Sequence, residues 1–288
     1  MIQLFAPFAQ QFDTGLNTAV SRVITTGLAA CAQELGAALV IFIIVQGALI
    51  AFRRYDYWRG LTNMLRAACV GLLLTAGYYA AYVQTPFLTT LPNWIAHVVN
   101  GASGPQAGAQ QFDALLSATD HFAAAILQQA TGVFQIGTRI EVAVAVVFDV
   151  TAIGIAFVIW ELASFMTGLV ICVGPFVLIG LLFAATRPIT ERWVSKLIGL
   201  LVLQLMVAVL LQVLIAGNTA YILQAQRTPG SGIEEQIMTL INIAAFAGIS
   251  GLMAVLVPSV AAYIGGGVSM NVVSSVVAAP ARMAAWVS

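Results

Sequence analysis

Apolar residues in this chain gather into long uninterrupted runs, and the few charges punctuate them. Such runs predict buried or membrane-spanning helices rather than alternating strands. Glu34 and Arg53 bracket Leu35 to Phe52, 18 charge-free residues. As a helix that segment is about 27 Å long, close to the thickness of a bilayer's hydrocarbon core. A second run follows Arg66, from Ala67 to about Val83, and is expected to end at Pro86 and Pro92. Tyr78, Tyr79, Tyr82 and Trp94 gather there, as aromatic residues do at a membrane boundary. Leu197 to Leu223 forms another run, and Ile237 to Val257 a further one that is expected to stop at Pro258.

The stretch from Glu141 to Thr186 carries Asp149 and Glu161 and is less simple. Basic residues decide how many crossings it holds. Arg53, Arg54, Arg59 and Arg66 fill one connection; Arg187, Arg192 and Lys196 fill another. These seven of the eleven Lys and Arg residues place both connections on the inner side. The number of crossings between them must then be even in total, with one on the near side of Arg187. The expectation is a single span over Leu162 to Ala184, with Glu141 to Glu161 a helix outside or grazing the interface. The chain reads as an all-α polytopic membrane protein of about five spans. Its N-terminus is outside and its C-terminus inside.

Composition removes the alternatives. Apolar residues make up 61% of the 288, charged residues 8%, and the mean hydropathy is +0.98. A soluble domain carries about 25% charged residues, so too little polar surface remains here to cover one water-soluble core. Net charge is zero, which supplies no basic field for nucleic acid. Cys31, Cys69 and Cys172 are far apart and suggest neither a disulfide framework nor a metal knuckle. No basic leader precedes Arg22, so no cleavable signal peptide is expected.

Three polar or amphipathic parts remain. Residues 4 to 24 place Phe5, Phe8, Phe12, Leu16, Val20 and Val23 opposite Gln10, Asp13, Asn17 and Ser21, the spacing of a surface or partner-facing helix. The section from 84 to about 140 contains a Gly101–Pro105 loop signature and a second amphipathic helix bearing Phe112, Leu116 and Phe122. His97 and His121 fall in it without a clustered third ligand. Beyond Gly265-Gly266-Gly267, Val272, Val273, Val276 and Val277 suggest a short amphipathic tail.

Catalytic signatures are missing. The single lysine, Lys196, lies in no glycine-rich loop, and no zinc-protease or nucleophile-elbow motif occurs. No enzyme activity, cofactor or metal is expected. Asp149 and Glu161 are about 120° apart around a helix and do not share a face. They read either as solvated or paired carboxylates or as pore or subunit contacts. Gly168, Gly174, Gly248 and Gly251 permit close helix approach and hence oligomerisation.

The segment Gly174-Pro175-Phe176 through Phe183-Ala184-Ala185-Thr186-Arg187, followed by Trp193, resembles the signature of the TrbL family. That family supplies the polytopic inner-membrane subunit of type IV secretion and conjugal transfer systems. Pro188 and Ile189 stand where many of its members carry an aromatic residue. The resemblance implies a channel or scaffold subunit in a Gram-negative inner membrane, assembled as a homo-oligomeric ring, expected to be a pentamer. Its implied partners are a stalk or minor pilus protein, other inner-membrane core components, secretion ATPases and membrane lipid. The implied cargo is protein, with or without single-stranded DNA. The expected organisation is a periplasmic amphipathic helix over 1–34, a transmembrane hairpin over 35–83 and a periplasmic central section over 84–161. A three-span core over 162–257 and a cytoplasmic tail over 258–288 complete it. A secondary solute transporter is the alternative, which would require polar groups at broken helices in mid-membrane. Read without the family, Pro175 and Gly174 predict a kink, Arg187 an anchor for phosphate or carboxylate, and Trp193 a headgroup contact.

Overall fold

A computed structural model describes residues 4–52, 57–101, 107–130, 136–227 and 232–264. Every regular element among them is helical. Helix α1 spans Phe5–Ala51, α2 Tyr57–Leu73 and α3 Ala76–Tyr79. Two π-helical stretches, Ala80–Gln84 and Pro86–Thr90, carry α3 into α4, Leu91–Asn100. Then come α5, Ala107–Gln129; α6, Ile136–Ile179; α7, Arg187–Arg227; and α8, Ile233–Ile264. The expected tail beyond Gly265 lies outside the described residues, as do Arg53, Arg54 and most of the Gly101–Pro105 loop.

Among the described residues, four helices are long and apolar enough to cross a membrane: Glu34–Ala51, Ile136–Leu182, Arg187–Gln224 and Ile233–Ile264. A fifth candidate is the pair Gly60–Leu73 and Gly77–Asn100, bent by 88° at the break between them. The straight second span expected over Ala67–Val83 is therefore broken. Thr75 marks the place: its backbone N–H and its hydroxyl both donate to the Leu72 carbonyl, diverting that acceptor from the helical ladder.

The prolines stop less than the sequence suggests. Pro86 begins a π-helical stretch, whose wider turn accommodates the ring, and Pro92 is buried in the first turn of α4. Pro258 is buried inside α8, which runs on to Ile264. The amphipathic segment over 4–24 is likewise not a separate helix. It is continuous with the first span because the Ala-, Leu- and Thr-rich stretch between them holds no proline, and its one glycine, Gly27, lies against Phe176.

Helix α6 brings the largest revision. Its 44 residues cross both the region expected outside and the expected span. At 1.5 Å per residue it measures about 66 Å, twice the hydrocarbon thickness. Val142, Ala145, Asp149, Ala152, Ile153 and Ala156 are buried along it. Phe148 meets Gly248, and a Cβ on Gly251 would lie 3.1 Å from Ala152. Residues 141–161 thus pack alongside the apolar run of α8. The helix runs without a break through 161.

Those contacts also set helix directions. Pairing of 148 with 248 and of 152 with 251 makes α6 and α8 parallel. Phe5 stacks near Phe157 at 4.6 Å and Phe12 near Phe165 at 6.0 Å, so α1 is parallel to α6 as well. Gln204 reaches Ser164, and Gly217 lies against Phe246, which makes α7 antiparallel to α6 and α8. The small residues expected to permit oligomerisation are occupied within the chain: Gly168 by Leu16 and Val20, Gly248 by Phe148, Gly251 by Ala152.

Candidate functional site

Pro175 has no N–H, so the carbonyl of Ile171 one turn earlier loses its helical donor. Tyr79 replaces it. Its hydroxyl, buried and 92 residues away in sequence, donates to Ile171 O at 2.6 Å. The neighbouring Val170 carbonyl accepts the indole Nε1–H of Trp193 at 2.7 Å. Both rings need the space above Gly174: a Cβ there would lie 2.7 Å from Trp193 Cζ2 and would collide with the Tyr79 hydroxyl. Gly174, Pro175 and Trp193 therefore form one unit with Tyr79, which locks the end of α6 to α7 and to α3. Trp193 acts in this lock through a backbone contact rather than as a headgroup anchor.

The rest of the signature builds the α6–α7 turn. Phe183 adopts an extended conformation, φ −110° and ψ 134°, which ends the helix. Its carbonyl accepts from the N–H groups of Thr186 and Arg187, both at 3.1 Å. The Thr186 hydroxyl donates to Gly180 O at 2.7 Å, and Thr190 donates to Val177 O at 2.7 Å. Phe183 meets Phe42 of α1 edge-on at 6.4 Å. Arg187 stands apart from the lock, with Nε 2.8 Å from Glu191 Oε1 in an exposed i,i+4 pair.

Farther up α6 the polar groups behave differently. Asp149 is fully buried beside Thr119 of α5, and neither of its carboxyl oxygens makes a hydrogen bond among the described residues. Glu161 is 7% exposed and its Oε2 is unpartnered. The structure takes Asp149 out of the solvent beside Thr119 and turns Glu161 toward a cavity between helices. Their 120° separation sends them to different neighbours, Asp149 toward α5 and Glu161 toward α1. Gln204 of α7 lies at the level of Glu161, its Nε2 3.4 Å from Ser164 and its Oε1 unpartnered. Asn218, also on α7, is 1% exposed with both amide atoms unpartnered.

Glu161 looks into a cavity of about 320 Å³ between α1, α4, the start of α5 and α6. Asp13 faces the same space from α1, with Asn17, Asn93, Ser164 and Trp160 also on its wall. Burial pushes the Asp13 carboxyl above the usual carboxylate range. A third acid nearby is fully engaged by backbone donors. Asp113 of α5 caps α1, accepting from the N–H groups of Leu4, Phe5 and Ala6, each at 2.8 Å. Sequence reasoning missed Asp113, Tyr79 and Asp13 as site residues. The only available signal was the carbonyl that Pro175 must orphan, and it does not name its donor. His97 and His121 are exposed and on separate helices.

The family model described as TrbL/VirB6 plasmid conjugal transfer protein matches residues 39–260. The chain belongs to the TrbL/VirB6 family. The matched region contains the Pro175 lock, the α6–α7 turn and both buried carboxylates of α6. Protein VirB6 of Agrobacterium fabrum is 26% identical over 261 residues, covering 88% of this chain and 87% of that protein. Protein VirB6 of Agrobacterium tumefaciens strain 15955 is 24% identical over 265 residues, with 88% and 87% covered. Type IV secretion system protein VirB6 of Bartonella quintana is 30% identical over 206 residues, covering 69% of this chain and 60% of its own length. This family places the solute-transporter alternative aside.

Proposed function

We propose that this chain is a multi-pass inner-membrane subunit of a type IV secretion system and moves cargo only as part of that assembly. The observation that carries the reading is membership of the TrbL/VirB6 family across most of the chain's length. The apolar helices agree with a membrane subunit, and the sequence holds no phosphate-cradling loop for its own energy supply. Separate ATPases provide that energy, and the chain serves as channel wall and scaffold rather than as an enzyme. Copies form a ring, five-fold in symmetry, beneath a stalk or minor pilus protein, and the cargo is protein with or without attached single-stranded DNA.

The N-terminus and the section from 84 to about 135 are periplasmic in this reading, and the C-terminus is cytoplasmic. Helix directions support it: a chain with basic connections on the inner side needs α1, α6 and α8 to run inward and α7 outward, which is the parallel and antiparallel pattern of their contacts. A cysteine at His121, in a background lacking Cys31, Cys69 and Cys172, is labelled from the periplasm; protection there contradicts the orientation. Deletion abolishes conjugation or protein export and complementation restores it, while the purified chain in liposomes accumulates no small solute. Normal export by the deletion strain, or saturable uptake by the chain alone, overturns the functional reading.

A further inference from the structure

The cavity beside Glu161 gathers two carboxyl groups and, among the described residues, no cationic side chain on its wall. Glu161 and Asp13 face it and repel each other, and among the described residues neither has an ion-pair partner. A carboxylate that is more than nine-tenths buried, with one oxygen unpartnered, is costly to retain unless something neutralises it. The rest of the wall favours a cation too. Ser164 and the side-chain amide oxygens of Asn17 and Asn93 offer further acceptors, while Leu16 and Trp160 supply apolar surface. Gln10, Thr14 and Asn93 are exposed at its rim, so the space is reached from outside the chain.

Size decides which cation. A volume of about 320 Å³ is roughly ten times the share of one water molecule in the liquid. A dehydrated metal ion needs several hard ligands drawn to about 2.0–2.6 Å. No group of three or more His, Cys, Asp or Glu that could hold one occurs among the described residues. A guanidinium on an alkyl stem suits the cavity better. Its planar fork of five N–H donors can be shared between two carboxylates and amide oxygens, its stem can lie on Leu16, and its face can stack on an indole.

We propose that this cavity receives the side chain of an arginine carried by a protein that docks against α1 and α4. The docking protein contributes the missing positive charge, and Glu161 at the base and Asp13 toward the rim hold it from two helices. The site holds or fails independently of the secretion reading, because binding is measured on the purified chain.

The test uses the full chain in lipid nanodiscs and N-acetyl-arginine methylamide as the probe, followed by calorimetry. The arginine probe binds saturably, and the isosteric but uncharged citrulline compound does not. Glu161→Gln and Asp13→Asn each weaken binding at least tenfold, whereas Asp120→Asn leaves it unchanged. Melting curves establish that the variants are folded; if Glu161→Gln is not, Asp13→Asn at the more open position carries the test. Four results overturn the proposal: no saturable binding of the arginine probe, equal binding of the citrulline compound, undiminished binding by the folded variants, or spermidine binding tenfold more tightly than the arginine probe. The last would assign the site to a free polyamine.

Discussion

Two regions of α6 handle buried polar groups in opposite ways. At its C-terminal end, Pro175 frees a carbonyl and the fold answers it with Tyr79, while Trp193 secures the carbonyl beside it. In its middle, Asp149 lies buried beside Thr119 and Glu161 is buried with Oε2 unpartnered among the described residues. The first arrangement is complete within one molecule, as a structural joint should be. The second is incomplete, and an incomplete buried carboxylate costs stability that a purely structural residue would not impose. The difference separates the part of the helix that holds the chain together from the Glu161 level, where the proposal above seats an arginine from a docking protein.

The strongest effect is expected at Gly174. Gly174→Ala drives a Cβ into the Tyr79 hydroxyl and the Trp193 ring, both held rigidly by their hydrogen bonds. Overpacking of this kind costs about 1–3 kcal/mol. A lower melting temperature and reduced membrane abundance follow; unchanged melting would dissolve the lock.

A double-mutant cycle then sharpens it. Tyr79→Phe leaves the Ile171 carbonyl without a donor, a loss of about 1–3 kcal/mol for a buried unsatisfied acceptor. Pro175→Ala restores an N–H that can serve the same carbonyl. Tyr79→Phe should therefore cost much less in the Pro175→Ala background than in the natural one. Additive effects of the two substitutions would show that Tyr79 does not compensate for the proline.

A smaller effect concerns pH and Asp13. Burial raises its carboxyl pKa in the folded chain above the ordinary aspartate value of 3.8, so the folded state holds the proton more tightly than the unfolded state. Its contribution to stability is fully present at acid pH and declines as pH rises through the ordinary carboxylate range and up to the raised value. Asp13→Asn flattens that part of the stability profile; an unaltered slope from pH 4 upward places the dependence elsewhere.

Much of this architecture was legible in the sequence, because the bilayer penalises charge and so makes the helices conspicuous. The all-helical class and the apolar runs could be read from spacing, and the Gly174–Trp193 signature from its resemblance to the TrbL family. Helix ends were harder. Pro86, Pro92 and Pro258 are stop signals in an isolated chain, but tertiary packing and π-helical turns carry the backbone past them. The expected division at 161 rests on counting crossings between the two basic connections, and such a count does not reveal that one helix of 44 residues runs through both parts. The meeting of Asp13 with Glu161, and of Tyr79 with Ile171, depends on contacts spanning most of the chain. No local pattern encodes them.

The direct test of the contrast compares Trp193→Phe with Glu161→Gln in the same export-competent cell, measuring folded protein and export together. Trp193→Phe removes the donor to Val170 and should lower folded protein while leaving export per folded molecule unchanged. Glu161→Gln should accumulate normally, with a melting temperature equal to or above the natural chain's, and lose at least tenfold in export per folded molecule. Normal export by a well-folded Glu161→Gln chain, with loss of export in a well-folded Trp193→Phe chain, would contradict the account.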